Sequence, residues 1–389
     1  MARRNDPPPS AVIPPRRLLV RGVNWLGDAV MTTPALLRLR EAQPQAHLTL
    51  LTHEKLAELW QHHPAVNQVL TFSARDRILS ISRRLRDERF DTALLFPNSP
   101  RSALEVWLAR IPRRIGGAWP GRNRLLTDAV PSRADEIKMR KRSPAEIRRL
   151  VHGVEGTERA AGKSNLGPRT SEFAGAVHQL HHYLHLAAVL GASREPVAPQ
   201  LHLTSTEIDA ARQQFQLTPN FRWLGLNAGA EYGPAKRWPA ERFIAVAREA
   251  AAWPGWGVVL LGGTVDLAIN RAIEAALRPP PSALRNLAGR TSLRELCAAL
   301  RCCDVLLTND TGPMHVAAAI GTPVVALFGS TSPELTAPGL PGDPRHRVLR
   351  ARVPCAPCFL RECPIDFRCM NRLSAEEVLE AIRQLSPWH

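Results

Sequence analysis

The sequence predicts an α/β fold built as two Rossmann-like domains, each a parallel sheet covered by helices. Three observations lead there. Short apolar runs of the kind found in buried strands alternate with segments of helical period along nearly the whole chain, which is the pattern of βαβ units. At 389 residues the chain is too long for one ordinary core. One stretch, residues 304–329 (DVLLTNDTGPMHVAAAIGTPVVALFG), contains a complete strand, loop, helix and strand.

The elements follow in order. Residues 1–16 are basic and Pro-rich without an apolar h-region, so they read as a disordered tail and not as a signal peptide. The first domain spans 17–195. It opens with a strand at 18–23 and the turn Asn24-Trp25-Leu26-Gly27-Asp28, where Gly27 suits a tight strand-to-helix connection. A helix runs to residue 41, with Thr33-Pro34 starting its main body or kinking it. Strands are expected at 48–52, 66–72, 92–96, 114–117 and 125–130, and helices at 54–61, 75–87 and 101–109. Residues 132–175 break the pattern. They are polar, carry the basic run Lys138-Met139-Arg140-Lys141-Arg142, and read as a mobile basic insertion with a helix at 146–154.

A helix at 179–190 ends at Gly191, and 196–203 reads as a linker. The second domain, 204–372, takes strands at 223–227, 257–261, 284–287, 305–307 and 324–328. Helices at 206–215, 240–252, 266–277, 293–302 and 314–320 lie among them. Residues 373–389 hold a last helix, opened by the capping box Ser374-Ala375-Glu376-Glu377.

Composition narrows the function. The chain is globular at 44% hydrophobic and 22% charged residues, and no apolar run approaches the roughly 18 residues that span a bilayer. A net charge of +16 favours anionic partners: nucleic acid, an acidic membrane surface or a phosphorylated substrate. With only 5% aromatic residues and no RNA-recognition, zinc-finger or helix-turn-helix signature, nucleic acid is the weakest of the three. There is no G-x-x-x-x-G-K-[ST], and no G-x-G-x-x-G follows a strand, so phosphates must be held another way.

The loop Asn309-Asp310-Thr311-Gly312 supplies one. It stands at the carboxyl end of a buried strand and opens a helix, where free N–H groups and a glycine admit an anion; Thr311 adds a hydroxyl and His315 an imidazole. The same residues also fit a capped helix with a satisfied histidine. Lys236, in a loop with Gly229 and Gly233, either places a point charge on a phosphate or is a surface lysine. Asp28 is either a helix N-cap or a carboxylate placed for proton transfer.

Three motifs carry a resemblance. Asp310-Thr311-Gly312-Pro313-Met314-His315 resembles the D-[ST]-G-x-x-H motif of the bacterial lipopolysaccharide heptosyltransferases, which act in core assembly. Asn24-Trp25-Leu26-Gly27-Asp28 and Gly229-Ala230-Glu231-Tyr232-Gly233-Pro234-Ala235-Lys236-Arg237-Trp238-Pro239 are most similar to the heptosyltransferase II branch of that family. The resemblance spans residues 17–385 and is poorest over 132–175.

It implies a GT-B-like architecture with two domains facing across a cleft, acceptor on the first and ADP-sugar on the second. It also implies an inverting transfer of heptose from ADP-heptose to heptosyl-Kdo2-lipid A. By that resemblance Asp28 is the base. Lys236, Asp310, Thr311, Gly312 and His315 hold the diphosphate, Gly229 lets the loop approach, Asp266 takes the ribose or serves as an N-cap, and Thr291 and Leu293 line the adenine pocket. Asn24, Arg113, Arg114, Arg122 and Arg124 are the acceptor-side candidates, the arginines being equally suited to a solvated basic face.

Expected partners are ADP-heptose, a Kdo–lipid A acceptor and the anionic inner-membrane surface. The expected location is cytoplasmic and peripheral to that membrane. No cofactor is required. Cys297, Cys302 and Cys303 read as core residues. Cys355, Cys358, Cys363 and Cys369, spaced C-x2-C-x4-C-x5-C, read either as free thiols or as a structural zinc site. Three other functions fit the sequence less well: the same fold and donor with another glycan or protein as acceptor, a basic nucleic-acid-binding protein, and an inactive sugar-nucleotide-binding module.

Overall fold

The computed structural model describes residues 14–137, 139–158, 177–277 and 283–386. Most of the expected tail, Lys138 of the basic run and the later part of the expected insertion lie outside the described residues. The chain separates into two compact units.

The first unit comprises residues up to Asn24, then Thr32–Ala134 and Leu180–Pro196. Its strands are β1 (Arg17–Arg21), β2 (His47–His53), β3 (Gln68–Phe72), β4 (Thr92–Leu95), β5 (Arg113–Gly117) and β6 (Asp128–Val130). They form one parallel sheet in the order β3-β2-β1-β4-β5-β6. β1 and β4 are apolar and buried because helices cover both faces, as a parallel sheet requires. Segment Glu54–Trp60, expected as an α-helix, is a 3-10 helix capped by His53. The core holds a buried ion pair, Arg21 Nε to Glu105 Oε2 at 3.0 Å, with the Arg21 guanidinium stacked 4.1 Å over Phe72. Burial lowers the Arg21 pKa, against the opposing effect of Glu105.

The second unit comprises Trp25–Met31, Asp135–Gln179 and Val197–His389. Its strands are β7 (Arg222–Asn227), β8 (Trp256–Leu261), β9 (Leu284–Asn286), β10 (Val305–Asn309), β11 (Val324–Phe328) and β12 (His346–Arg350). They also form one parallel sheet, in the order β12-β11-β10-β7-β8-β9. The sequence reading lacked β12. Its residues His346-Arg347-Val348-Leu349-Arg350 mix charge with apolar side chains, because an edge strand is half covered and lacks the continuous apolar run of a central one.

Chain-order connectivity is therefore the same in both sheets. Each reverses direction once, between β1 and β4 in the first and between β7 and β10 in the second. Ligands of such sheets bind at the carboxyl ends of strands beside that reversal.

Two assignments differ from expectation. Residues 135–152, read as an insertion of the first domain, pack with the second unit, where Ile147 and Val151 are buried in its core. The helix Pro144–Glu158 places these two residues on one face. Trp25–Met31, whose neighbours in sequence belong to the first unit, also packs with the second.

Candidate active site

The site is built on the reversal between β7 and β10. We label the helices that carry it α1 (Leu26–Met31) and α2 (Gly312–Ala319). β10 ends at Asn309, which is wholly buried. Its side-chain amide donates to the carbonyls of Ala228 (2.9 Å) and Gly229 (3.2 Å) and accepts from the Trp238 N–H (3.1 Å). One side chain thus holds both ends of the loop that follows β7.

That loop delivers Lys236. Its ammonium lies 2.5 Å from Asp310 Oδ2 and 3.3 Å from the Asp310 carbonyl. The same carboxylate oxygen accepts from Thr331 Oγ1 at 2.5 Å, and Asp310 is only 4% exposed. Thr311 caps α2 in an extended backbone conformation, and its side chain makes no cap hydrogen bond.

α1 packs directly on α2 through two glycines. A Cβ on Gly27 would stand 2.7 Å from His315 Cδ2, and a Cβ on Gly312 would stand 2.9 Å from Leu26 Cβ. Side chains at either position would separate the helices. His315 is buried, and its pKa is lowered to about 4 by that burial, with Asp310 opposing and Lys236 adding to the effect. Burial thus favours its neutral form at pH 7.

A pocket of about 450 Å³ opens over these groups. Asp28, Lys236, Asp310, Thr311, Gly312 and His315 all line it, and every lining residue belongs to the second compact unit. The sequence reading named these six. It did not single out four other lining residues, Lys141, Tyr232, Thr331 and Arg361. Tyr232 stood inside a quoted motif, and its ring at the carboxyl end of β7 was a usable signal. Lys141 stood inside the basic run 138–142 and Thr331 lies two residues past the stretch 304–329; Arg361 is the one that no local pattern marks.

The remaining expected residues are placed elsewhere. Asp266 accepts from the Gly263 N–H at 3.0 Å, and its carboxylate lies so close to Gly229 that a Cβ there would stand 2.1 Å from Oδ1. Gly229 is thus required by Asp266. Leu293 begins the helix Leu293–Arg301, next to Thr291 and the cap residue Ser292. Asn24 stays in the first unit, accepting from Arg21 at 3.4 Å.

The four expected acceptor arginines do not form one exposed cluster. Arg113 pairs with Asp128 at 3.2 Å. Arg114 donates to the carbonyls of Ile111, Pro112 and Leu125. Arg122 is fully buried and donates to Pro97 O at 2.9 Å. Arg124 is exposed.

Of the cysteines, Cys297 and Cys303 are buried, as core residues are. Cys355, Cys358, Cys363 and Cys369 line one cavity of about 10 Å³. Burial is the first cause that raises the Cys355, Cys358 and Cys369 thiols, Cys369 to about 12, and the neighbouring cysteines add to it. Phe367 N–H donates to Cys363 Sγ at 3.3 Å. Among the described residues no three of His, Cys, Asp and Glu stand in a metal-binding arrangement.

Residues 147–367 carry the sequence profile of glycosyltransferase family 9 (heptosyltransferase). The chain belongs to that family. It is 32% identical to lipopolysaccharide heptosyltransferase 2 of Salmonella typhimurium over 83% of this chain and 85% of the relative. The solved structure of E. coli ADP-heptose LPS heptosyltransferase II superposes with a TM-score of 0.73 at 28% identity, covering 95% of this chain and 98% of that one. A family 9 glycosyltransferase from Veillonella parvula superposes with a TM-score of 0.70 at 22% identity over 95% and 97% of the two chains, a likeness of fold. As a family 9 member the chain is a glycosyltransferase. Its fold is α/β, two parallel six-stranded sheets with helices, and it superposes on that of the E. coli enzyme.

Proposed function

We propose that this family 9 enzyme transfers heptose from ADP-heptose to a heptosylated Kdo–lipid A acceptor in lipopolysaccharide inner-core synthesis, with inversion at the anomeric carbon. One observation carries the reading: Asp28, Lys236 and the Asp310-Thr311-Gly312 turn, from three distant parts of the chain, line a single pocket of about 450 Å³. The names of the relatives, which print ADP-heptose and lipopolysaccharide, support the donor and the acceptor class.

A sugar hydroxyl is a weak nucleophile at neutral pH, and a carboxylate beside it removes its proton as the new bond forms. Asp28 takes that proton. The acceptor oxygen attacks the anomeric carbon, the bond to the diphosphate oxygen breaks, and ADP leaves with the electron pair. Thr311, the backbone N–H groups that open α2, and Lys236 meet the leaving diphosphate. The Tyr232 ring, 4.9 Å from the Lys236 ammonium, steadies that cation. These groups meet part of the leaving charge.

The acceptor carries a lipid, and a chain of net charge +16 is suited to an anionic membrane surface on the cytoplasmic side. Among the described residues no helix is long and apolar enough to cross a membrane, so the proposed association is peripheral. The four-cysteine cavity has the donor set for structural zinc, and its thiols would have to move and deprotonate to close on the ion. Metal content of the purified protein, with and without Cys355→Ser and Cys358→Ser, separates that site from four packed thiols.

The deciding experiment is ADP release from ADP-heptose, with and without heptosyl-Kdo2-lipid A. We expect acceptor-dependent release that Asp28→Asn reduces by about 10²–10⁴-fold, the range for loss of a general base, with ADP affinity near wild type. ADP binding without release on any core acceptor would overturn the acceptor; full activity in Asp28→Asn would overturn the base.

A further inference from the structure

The cation that sequence reasoning assigned to the diphosphate is already in use. Lys236 sits 2.5 Å from the Asp310 carboxylate, so the pair is close to neutral as a unit. A sugar nucleotide brings a diphosphate whose charge grows as ADP departs, and something else must balance it.

Two further cations line the same pocket, Lys141 and Arg361. Both are exposed, and neither has a carboxylate partner among the described residues. The other charged lining groups are Asp28, on α1, and Glu231.

Arg361 belongs to the wall that carries Lys236. Its guanidinium lies 5.3 Å from the centre of the Tyr232 ring, and the Lys236 ammonium lies 4.9 Å from the same ring. An electron-rich ring lets two like charges stand near one another. Tyr232 is itself fixed by its hydroxyl, which donates to the Phe359 carbonyl at 2.8 Å. The Arg361 carbonyl accepts from the Ala235 N–H at 2.9 Å and leaves no room for a Cβ on Gly233, so the loop of Lys236 is pinned to it.

Lys141 reaches this wall because the segment after it is strapped down. The Arg142 N–H donates to the Cys358 carbonyl at 3.0 Å, Arg142 Nη1 donates to Pro354 O at 2.9 Å, and Ile147 lies in the core just beyond.

We propose that Lys141 and Arg361 form a second cation pair that takes the diphosphate of the sugar nucleotide and the charge that builds on it as ADP leaves. The inference rests on the donor class given above. It also gives the basic segment of 138–142 a role in the pocket: the strap brings one of its lysines to the donor.

The test is calorimetric binding of ADP and of adenosine to wild type, Lys141→Gln, Arg361→Gln and Arg361→Lys, with steady-state KM for the acceptor. The Arg361 backbone contacts persist in the side-chain variants, and adenosine affinity reports an intact nucleoside site. Each Gln variant should lose about tenfold in ADP affinity, the worth of one charge-assisted contact, with adenosine affinity and acceptor KM unchanged. Arg361→Lys should recover part of the loss. Unchanged ADP affinity overturns the proposal, and so does a raised acceptor KM with ADP affinity intact, which would assign the pair to the acceptor. Failure of wild type to bind ADP would overturn the donor class itself, a result distinct from either.

Discussion

Gly27 shows how much one residue decides at this site. A methyl group there would meet the His315 ring at 2.7 Å. Overpacking of this kind typically costs about 1–3 kcal/mol, and here it also moves Asp28 away from the diphosphate turn. We expect Gly27→Ala to lower kcat by about tenfold or more, since small misplacements of a reacting group are costly, while ADP affinity measured by calorimetry stays within about threefold. His315 carries a second prediction. Its folded pKa of about 4 lies below the ordinary histidine value, so the folded chain binds this proton less readily than the unfolded chain. Stability from this source is complete above about pH 6.5 and falls as pH drops toward 4. His346, also lowered to about 4 by burial, acts in the same window. Thermal melts from pH 7 to 4 should show a falling midpoint, and His315→Gln should flatten part of that slope.

The elements work by bringing loop ends together. β10 alone is an ordinary buried strand, but its last residue, Asn309, satisfies two carbonyls and an N–H of the loop after β7. Asn309→Ala leaves buried backbone groups without partners, each worth about 1–3 kcal/mol. Denaturant unfolding should show a loss of about 3 kcal/mol or more, the low end for three such groups, and ADP binding should weaken with it because Lys236 loses its support. This asparagine was legible only as the residue that ends an apolar run; its role depends on a loop some 80 positions away. The opposite holds for the helix Ala375–Leu385. Its capping box is local, and the structure shows both halves of it, Ser374 to Glu377 N–H and Glu377 back to Ser374 N–H. β12 lay between these cases: an edge strand is too short and mixed to stand out, and it forms because β11 offers a free edge.

For the whole molecule, the charge of +16 should appear as salt-sensitive adsorption. In co-sedimentation we expect binding to vesicles containing anionic lipid at low ionic strength, little binding to neutral vesicles, and release as salt rises; equal binding to both vesicle types would remove the peripheral membrane role. Sequence by itself determined the α/β class, because the period of apolar residues is a property of the chain, and it determined the family, because the three motifs are contiguous runs. It also named Asp28, Lys236, Asp310 and Thr311, which stand beside glycines and strand ends that are visible locally. Tertiary structure decided the rest. That Lys236 is neutralised by Asp310, that His315 is neutral, that Arg122 is buried rather than facing a ligand, and that Lys141, Tyr232 and Arg361 join the pocket all depend on distances between residues remote in sequence. Burial and charge pairing are properties of those distances, and no window along the chain contains them.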